Sequence, residues 1–138
     1  MIRIIVLIIA IAGLAACQQE GKKSAARKNA VTIDTFTMSA EDWDTGCYYA
    51  LDSNDYKRGV LILSHNAFTG PLMRINGVMT RFATDTTGRI YNDQYEVIVE
   101  TQATDSIDYT LIYKGKIKLK SKDSTIVAER EVIGECGC

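Results

Sequence analysis

The sequence predicts an all-β fold, a small antiparallel meander of about eight strands closed, or nearly closed, into a barrel. Three observations carry that expectation. From Cys47 onward apolar and polar residues alternate with a period of two, as in Tyr95-Glu96-Val97 and Ile117-Lys118-Leu119. Turn-forming residues recur at a spacing of roughly 8–12 residues, the interval expected of a sandwich or barrel. No convincing helical period interrupts this part of the chain.

Taken from the start, Arg3 is the only charge in residues 1–16. It precedes the apolar run Ile4-Ile5-Val6-Leu7-Ile8-Ile9-Ala10-Ile11-Ala12, a charged start and short core of the kind found in export signals. The run is shorter than the about 20 apolar residues of a spanning helix. It ends in Leu14-Ala15-Ala16-Cys17, which resembles the lipobox of bacterial lipoproteins. The resemblance implies cleavage before Cys17 and acylation of its thiol, so that the mature protein is anchored in a lipid membrane. Each buried methylene contributes about 0.8 kcal/mol, so two or three acyl chains hold where one would not. Gln18 follows, where such lipoproteins carry Asp when retained in the inner membrane. The expected location is therefore the cell envelope, the outer membrane more than the inner.

Removing 16 of 138 residues leaves 122, one domain's worth, with 15 basic and 17 acidic residues once Arg3 is gone. So even a balance gives no reason to expect a nucleic-acid partner. Residues 18–30 are polar and small, with Lys22, Lys23, Arg27 and Lys28, and read as a flexible tether. Residues 31–43 read as an arm: a short strand around Val31, Ile33 and Phe36, a single helical turn begun by Ser39, and Trp43 packing onto the domain. The expected organisation is a signal over 1–16, a lipidated tether and arm over 17–43, and the β domain over 44–138.

Within that domain Cys47-Tyr48-Tyr49-Ala50-Leu51 is a short aromatic strand, broken by Asp52-Ser53-Asn54-Asp55. Val60-Leu61-Ile62-Leu63 is a buried-type run, and 67–71 a loop holding the only proline. Leu72–Ile75 and Val78–Phe82 flank Asn76-Gly77, a hairpin turn in which both residues tolerate positive φ. A second turn falls at Asp85-Thr86-Thr87-Gly88. Strands follow over 94–102, about 109–113 and about 116–120. The last, Thr125–Ile133, slips its alternation near Glu129, which implies a bulge.

An exported chain meets an oxidising compartment, where disulfides form. Beyond Cys17 the cysteines are Cys47, Cys136 and Cys138. Cys47 opens the first strong strand and Cys136-Gly137-Cys138 ends the last, and in a closed meander these strands are neighbours. A bridge from Cys47 to either Cys136 or Cys138 would close a loop of about 90 residues, contributing about 4.5 kcal/mol in the chain-entropy model. The leftover thiol leaves open a redox pair, or a metal site formed with His65, the only histidine. His65 itself reads as a solvent-facing loop residue. No cofactor is implied. No nucleophile stands in a recognisable catalytic frame, and the glutamates fall mostly on solvent faces, so an enzyme is not expected. Lys114, Lys116, Lys118, Lys120 and Lys122 share one parity. They form either a docking strip for an acidic partner or glycan, or the guard of an edge strand.

Lipobox, tether, a cysteine on the first β-strand, a hairpin midway and a final strand ending in cysteine together make a layout similar to the membrane-bound inhibitors of C-type lysozyme. Those are small lipoprotein barrels with a first-to-last-strand disulfide, and a Ser-Gly-x-x-Tyr loop and a lysine reach into the lysozyme cleft. The nearest segment is Thr87-Gly88-Arg89-Ile90-Tyr91, with threonine in place of serine. The resemblance implies Thr87, Gly88, Arg89 and Tyr91 as contact residues, with Lys116 and Lys118 beside them. The ending Gly134-Glu135-Cys136-Gly137-Cys138 also resembles small envelope lipoproteins that carry no known mechanism. Three functions are therefore in competition: a non-catalytic binding module for a protein, glycan or small molecule; a lysozyme inhibitor displayed on the membrane; and thiol redox or metal handling by Cys-Gly-Cys.

Overall fold

The computed structural model describes residues 30–137. The signal, Cys17, the tether through residue 29 and Cys138 lie outside the described residues. The fold is all-β, an antiparallel sheet curled into a half-barrel. In chain order the strands are β1 (Ile33–Asp34), β2 (Phe36–Thr37), β3 (Gly46–Ala50), β4 (Val60–Leu61), β5 (Leu63–Asn66), β6 (Gly70–Ile75), β7 (Val78–Arg81), β8 (Ala83–Thr84), β9 (Ile90–Tyr91), β10 (Tyr95–Ile107), β11 (Thr110–Ser121) and β12 (Ile126–Gly137). A 3-10 turn covers Ala40–Asp42, where the arm was expected to make one helical turn.

The main sheet runs β1-β6-β5-β3-β12-β11-β10-β9-β8, with β7 on β6. β7 and β8 are separated only by Phe82. The first pairs with β6 and the second with β9, so the bent segment 78–84 links the two ends of the sheet. Counting it as one strand, and setting aside the short β1, the circuit β3, β5, β6, β7–β8, β9, β10, β11 and β12 has eight members, but not the expected set: the stretches 109–113 and 116–120 are one strand, β11, whose pairing runs unbroken through Gly115, and β9 forms where no strand was expected.

The hairpin at Asn76-Gly77 forms as predicted, with φ of 49° and 77° at its two residues. It also fastens the arm. Asn76 Oδ1 accepts from the Thr32 amide at 2.9 Å, and Asp34 Oδ2 accepts from the Gly77 amide at 2.6 Å. The expected bulge in the last strand lies at Val127, two residues before Glu129: Leu119 faces Ala128, but Lys120 faces Ile126. The extra residue lets Val127 and Ala128 both pack toward the core.

Two expectations are corrected. The segment 52–55 is not only a break, because a one-turn helix, α1 (Ser53–Lys57), forms there. The Asp52 carboxylate accepts from the amides of Asn54 and Asp55 and caps it. The run Val60–Leu63 is not one strand. Its amides serve two partners, β4 pairing with β2 in a separate two-stranded sheet while β5 joins β3 in the main sheet.

The core has two compartments. Inside the half-barrel, Ile33, Tyr49, Ile62, Leu63, Met73, Ile75, Phe82, Ile90, Val97, Ile117, Leu119 and Val132 are buried together. On the outer face of β3, Phe36, Tyr48, Ala50 and Leu61 pack with Met38, Trp43, Tyr56 and Leu72. The arm, β2, β4 and α1 therefore form a second layer over one side of the barrel. β3 pairs with β12 in the register Cys47–Cys136, Tyr48–Glu135, Tyr49–Gly134. The Tyr49 ring lies where a side chain on residue 134 would be, so glycine is the residue that fits there.

Cys47 and Cys136 form a disulfide, with Cα atoms 4.1 Å apart and 89 positions between them in sequence. This selects Cys136 over Cys138 as the partner of Cys47. Replacing Cys47 and Cys136 together by serine is expected to lower unfolding free energy by about 2–5 kcal/mol, measured by denaturant titration. Non-reducing peptide maps of the wild type should contain the Cys47–Cys136 pair. Maps dominated by a Cys47–Cys138 pair would contradict the observed register.

Candidate functional site

Where the outer layer meets the end of β12, three aromatic rings and a carboxylate converge. α1 is a single turn, ended by Gly59 at φ 71°, whose amide donates to the Tyr56 carbonyl at 3.0 Å. Gly59 O in turn accepts from the Met38 amide at 2.9 Å, fixing α1 to the arm. Tyr56 is thereby set against Trp43, centroids 5.1 Å apart and planes at 80°. Trp43 stacks on Tyr48 at 4.8 Å and 13°. The Tyr48 hydroxyl accepts from the Asp44 amide at 2.7 Å and donates to the Asp44 carbonyl at 2.6 Å. The Asn66 amide donates to that hydroxyl at 3.3 Å and to the Asp42 carbonyl at 3.4 Å. Asn66 is buried, and its bonds make it the fastener between arm and sheet.

Glu135 is the register partner of Tyr48 and shares its outward face. Its carboxylate lies close to the Tyr56 phenol. Burial, followed by this neighbouring negative charge, pushes the Tyr56 phenol well above its ordinary value, so it stays protonated at any physiological pH. Two hollows share Trp43, Tyr56 and Glu135. One of about 230 Å³ adds Asp44, Tyr48 and Thr110; the other, about 450 Å³, adds Met38, Lys57 and Arg58. The Trp43 indole Nε1 is enclosed and has no hydrogen-bond partner among the described residues. Sequence reasoning placed Trp43 on the domain but missed this site, since its walls join residues as distant in sequence as Trp43 and Glu135, 92 positions apart.

The residues singled out from sequence lie elsewhere. Asp85 organises the turn before β9: its Oδ1 accepts from the Thr87 amide at 2.9 Å, the Thr87 hydroxyl at 2.6 Å and the Arg89 amide at 3.0 Å. These bonds, with Arg89 nearby, hold the Asp85 carboxyl below its usual range. Gly88 takes φ 85°. The Arg89 guanidinium lies 3.4 Å from Asp85 and 4.6 Å above the Tyr91 ring, so both its charge and its planar face have partners within the turn. Arg89 and Tyr91 do share a pocket of about 180 Å³ with Lys120 and Lys122.

The lysine row proves to be half of a charge ladder. β11 lies between β10 and β12, so it is not an edge strand. Lys116 pairs with Glu129 at 3.3 Å, Lys118 with Glu100 at 2.8 Å and Lys120 with Glu96 at 3.1 Å. The bond from Glu100 raises the Lys118 pKa. These exposed pairs contribute little stability individually, but they balance the middle three of the five lysines that sequence parity aligned. Lys116 and Lys118 are not near the Asp85 turn's pocket; Lys120 and Lys122 are.

His65 is not a solvent-facing loop residue. It sits in β5 directly opposite Cys47, half-buried, with Nε2 3.3 Å from the Thr84 hydroxyl. The sequence put it beside the polar Asn66, but both belong to the strand that pairs with β3. Cys47 and Cys136 are joined to each other, and among the described residues no group of three or more His, Cys, Asp and Glu is placed to hold a metal. Comparison with known families, with characterised proteins and with solved structures finds no match to this chain.

Burial lowers the His65 pKa below its ordinary value near 6.5. The folded protein then binds fewer protons than the unfolded chain just below that pH. Stability should be full above about pH 6.5, fall as pH drops toward the folded pKa, and level off below it. Asp85 acts in a separate window, its contribution fading only below about pH 4. Denaturant titrations at several pH values should show the first loss in wild type and not in His65→Gln. Parallel curves for the two proteins would remove His65 as its source.

Proposed function

We propose that this chain is an envelope lipoprotein, held on a membrane through acylated Cys17, whose β domain is a non-catalytic binding module seated at Trp43, Tyr56 and Glu135. The observation that carries the reading is the seat itself. Rings and a carboxylate are gathered by the outer layer over the outer face of the β3–β12 pair, and such groups hold and orient a ligand. The only histidine is engaged elsewhere, with Thr84. The Cys47–Cys136 disulfide fits export to an oxidising compartment. Leu14-Ala15-Ala16-Cys17 supports lipid attachment, and Gln18 favours the outer membrane.

The anchor is tested by labelling cells with radioactive palmitate and partitioning the protein into detergent. Wild type should carry label, and Cys17→Ser should lose it and either leave the membrane or keep its signal. A Cys17→Ser protein with cleaved signal that stays membrane-bound would overturn the anchor. The module is tested with the mature chain and a low-molecular-mass extract of envelopes. Trp43 is the only tryptophan, so its fluorescence reports on the seat. The extract should shift its emission, and Tyr56→Leu should suppress the shift while the far-ultraviolet spectrum stays that of a β protein. An unchanged emission at every extract concentration would count against binding there.

A further inference from the structure

The smaller hollow has a chemistry that narrows the ligand. Its aromatic wall is Trp43, Tyr48 and Tyr56, and its charged groups are the Asp44 and Glu135 carboxylates. Among the described residues no lysine, arginine or histidine lines it. Lys57 and Arg58 border only the neighbouring hollow, where Arg58 is paired with Asp55. An aromatic face carries a negative quadrupole, so rings and carboxylates around one space attract a cation whose own surface is apolar. At about 230 Å³ the space is below the range of drug-sized ligands and suits a small head group. The walls are set before any ligand arrives: Tyr48 is held through Asp44 and Asn66, and Trp43 through its stack on Tyr48. Tyr56 and Glu135 face the same hollow, and the carboxylate's charge helps to keep the phenol protonated.

We infer that the space bounded by Trp43, Tyr48, Tyr56, Asp44 and Glu135 binds a small organic cation of the quaternary ammonium or alkylammonium class. The inference rests on the reading of the domain as a binding module and names its ligand chemistry. The charged nitrogen lies against the rings beside Glu135. The methyl or methylene groups around it pack on the ring surface that the Trp43–Tyr48 stack leaves open, and a polar tail reaches the hydroxyls of Thr45 and Thr110. A bare metal ion lacks the apolar surface that the rings demand, and an anion meets two carboxylates.

The test uses three molecules of one shape: choline, its neutral isostere with carbon in place of the quaternary nitrogen, and the anion tert-butylacetate. Each is titrated into the full mature chain at constant ionic strength, with Trp43 emission as the readout. Choline should saturate with a midpoint of roughly 1–10 mM, as expected of a small ligand held by a few contacts. Glu135→Gln should weaken choline roughly fivefold or more while leaving the neutral isostere unaffected. Asp44→Asn is the second variant, and unchanged thermal melting in both shows that the fold is intact. Equal saturation by the neutral isostere would overturn the cation assignment and leave a binding module with an apolar seat. Saturation by the anion alone would overturn it too. No response to any of the three overturns this inference, whereas the envelope extract decides separately whether the seat binds anything. Sedimentation of Cys17→Ser with phosphatidylcholine vesicles, lost in Glu135→Gln, would assign the cation to a lipid head group. Choline saturation without vesicle binding assigns it to a free solute.

Discussion

The pairing of β3 with β12 is the contact on which the rest of the molecule depends. β3 is short, yet both of its faces are covered. Cys47 and Tyr49 turn into the barrel, while Tyr48 and Ala50 turn out beneath the arm. A strand used on both sides cannot slip, since a shift of one residue would exchange its two faces. The disulfide locks that register. Gly134 then lies beneath Tyr49, and Glu135 emerges beside Tyr48. Barrel continuity, the footing of the outer layer and the placement of the candidate site all follow from this one alignment.

Features set by neighbouring residues were legible in the sequence. Asn76-Gly77 announces a hairpin because few other pairs accept two positive φ values in succession. The alternation of β10 and β11 is visible because one face of each is apolar over most of its length. The strand count and the first-to-last bridge followed from these. α1 escaped because Asp52-Ser53-Asn54-Asp55 is equally good chemistry for a turn and for a helix cap. The split of Val60–Leu63 escaped because an apolar run does not say which sheet its amides serve.

The candidate site was hidden for a different reason. Trp43, Tyr56 and Glu135 belong to an arm, a one-turn helix and the last strand, and no local pattern links them. Glu135 in particular looks like any solvent-facing glutamate until its register with Tyr48 is known. Register also decides the sign of the lysine face. The row reads as a positive strip in one dimension, and only the lateral placement of Glu96, Glu100 and Glu129 shows that its middle three lysines are balanced.

The β3–β12 alignment also has a consequence for how the chain is made. Residues 46–50 pair early with β5 on one side, but their other side is filled only by the last strand, and contacts of such sequence separation form late because a long loop must close first. A chain made N-terminus first presents β3 with one lateral edge open until its final residues emerge. The hairpin of β10 and β11 can assemble from neighbours alone, and β12 adds to it as the next strand in line. The growing molecule is then a three-stranded platform at one end and an unfinished edge at the other. That edge is the surface most exposed to wrong pairing before folding is complete, and it disappears when β12 docks on β3.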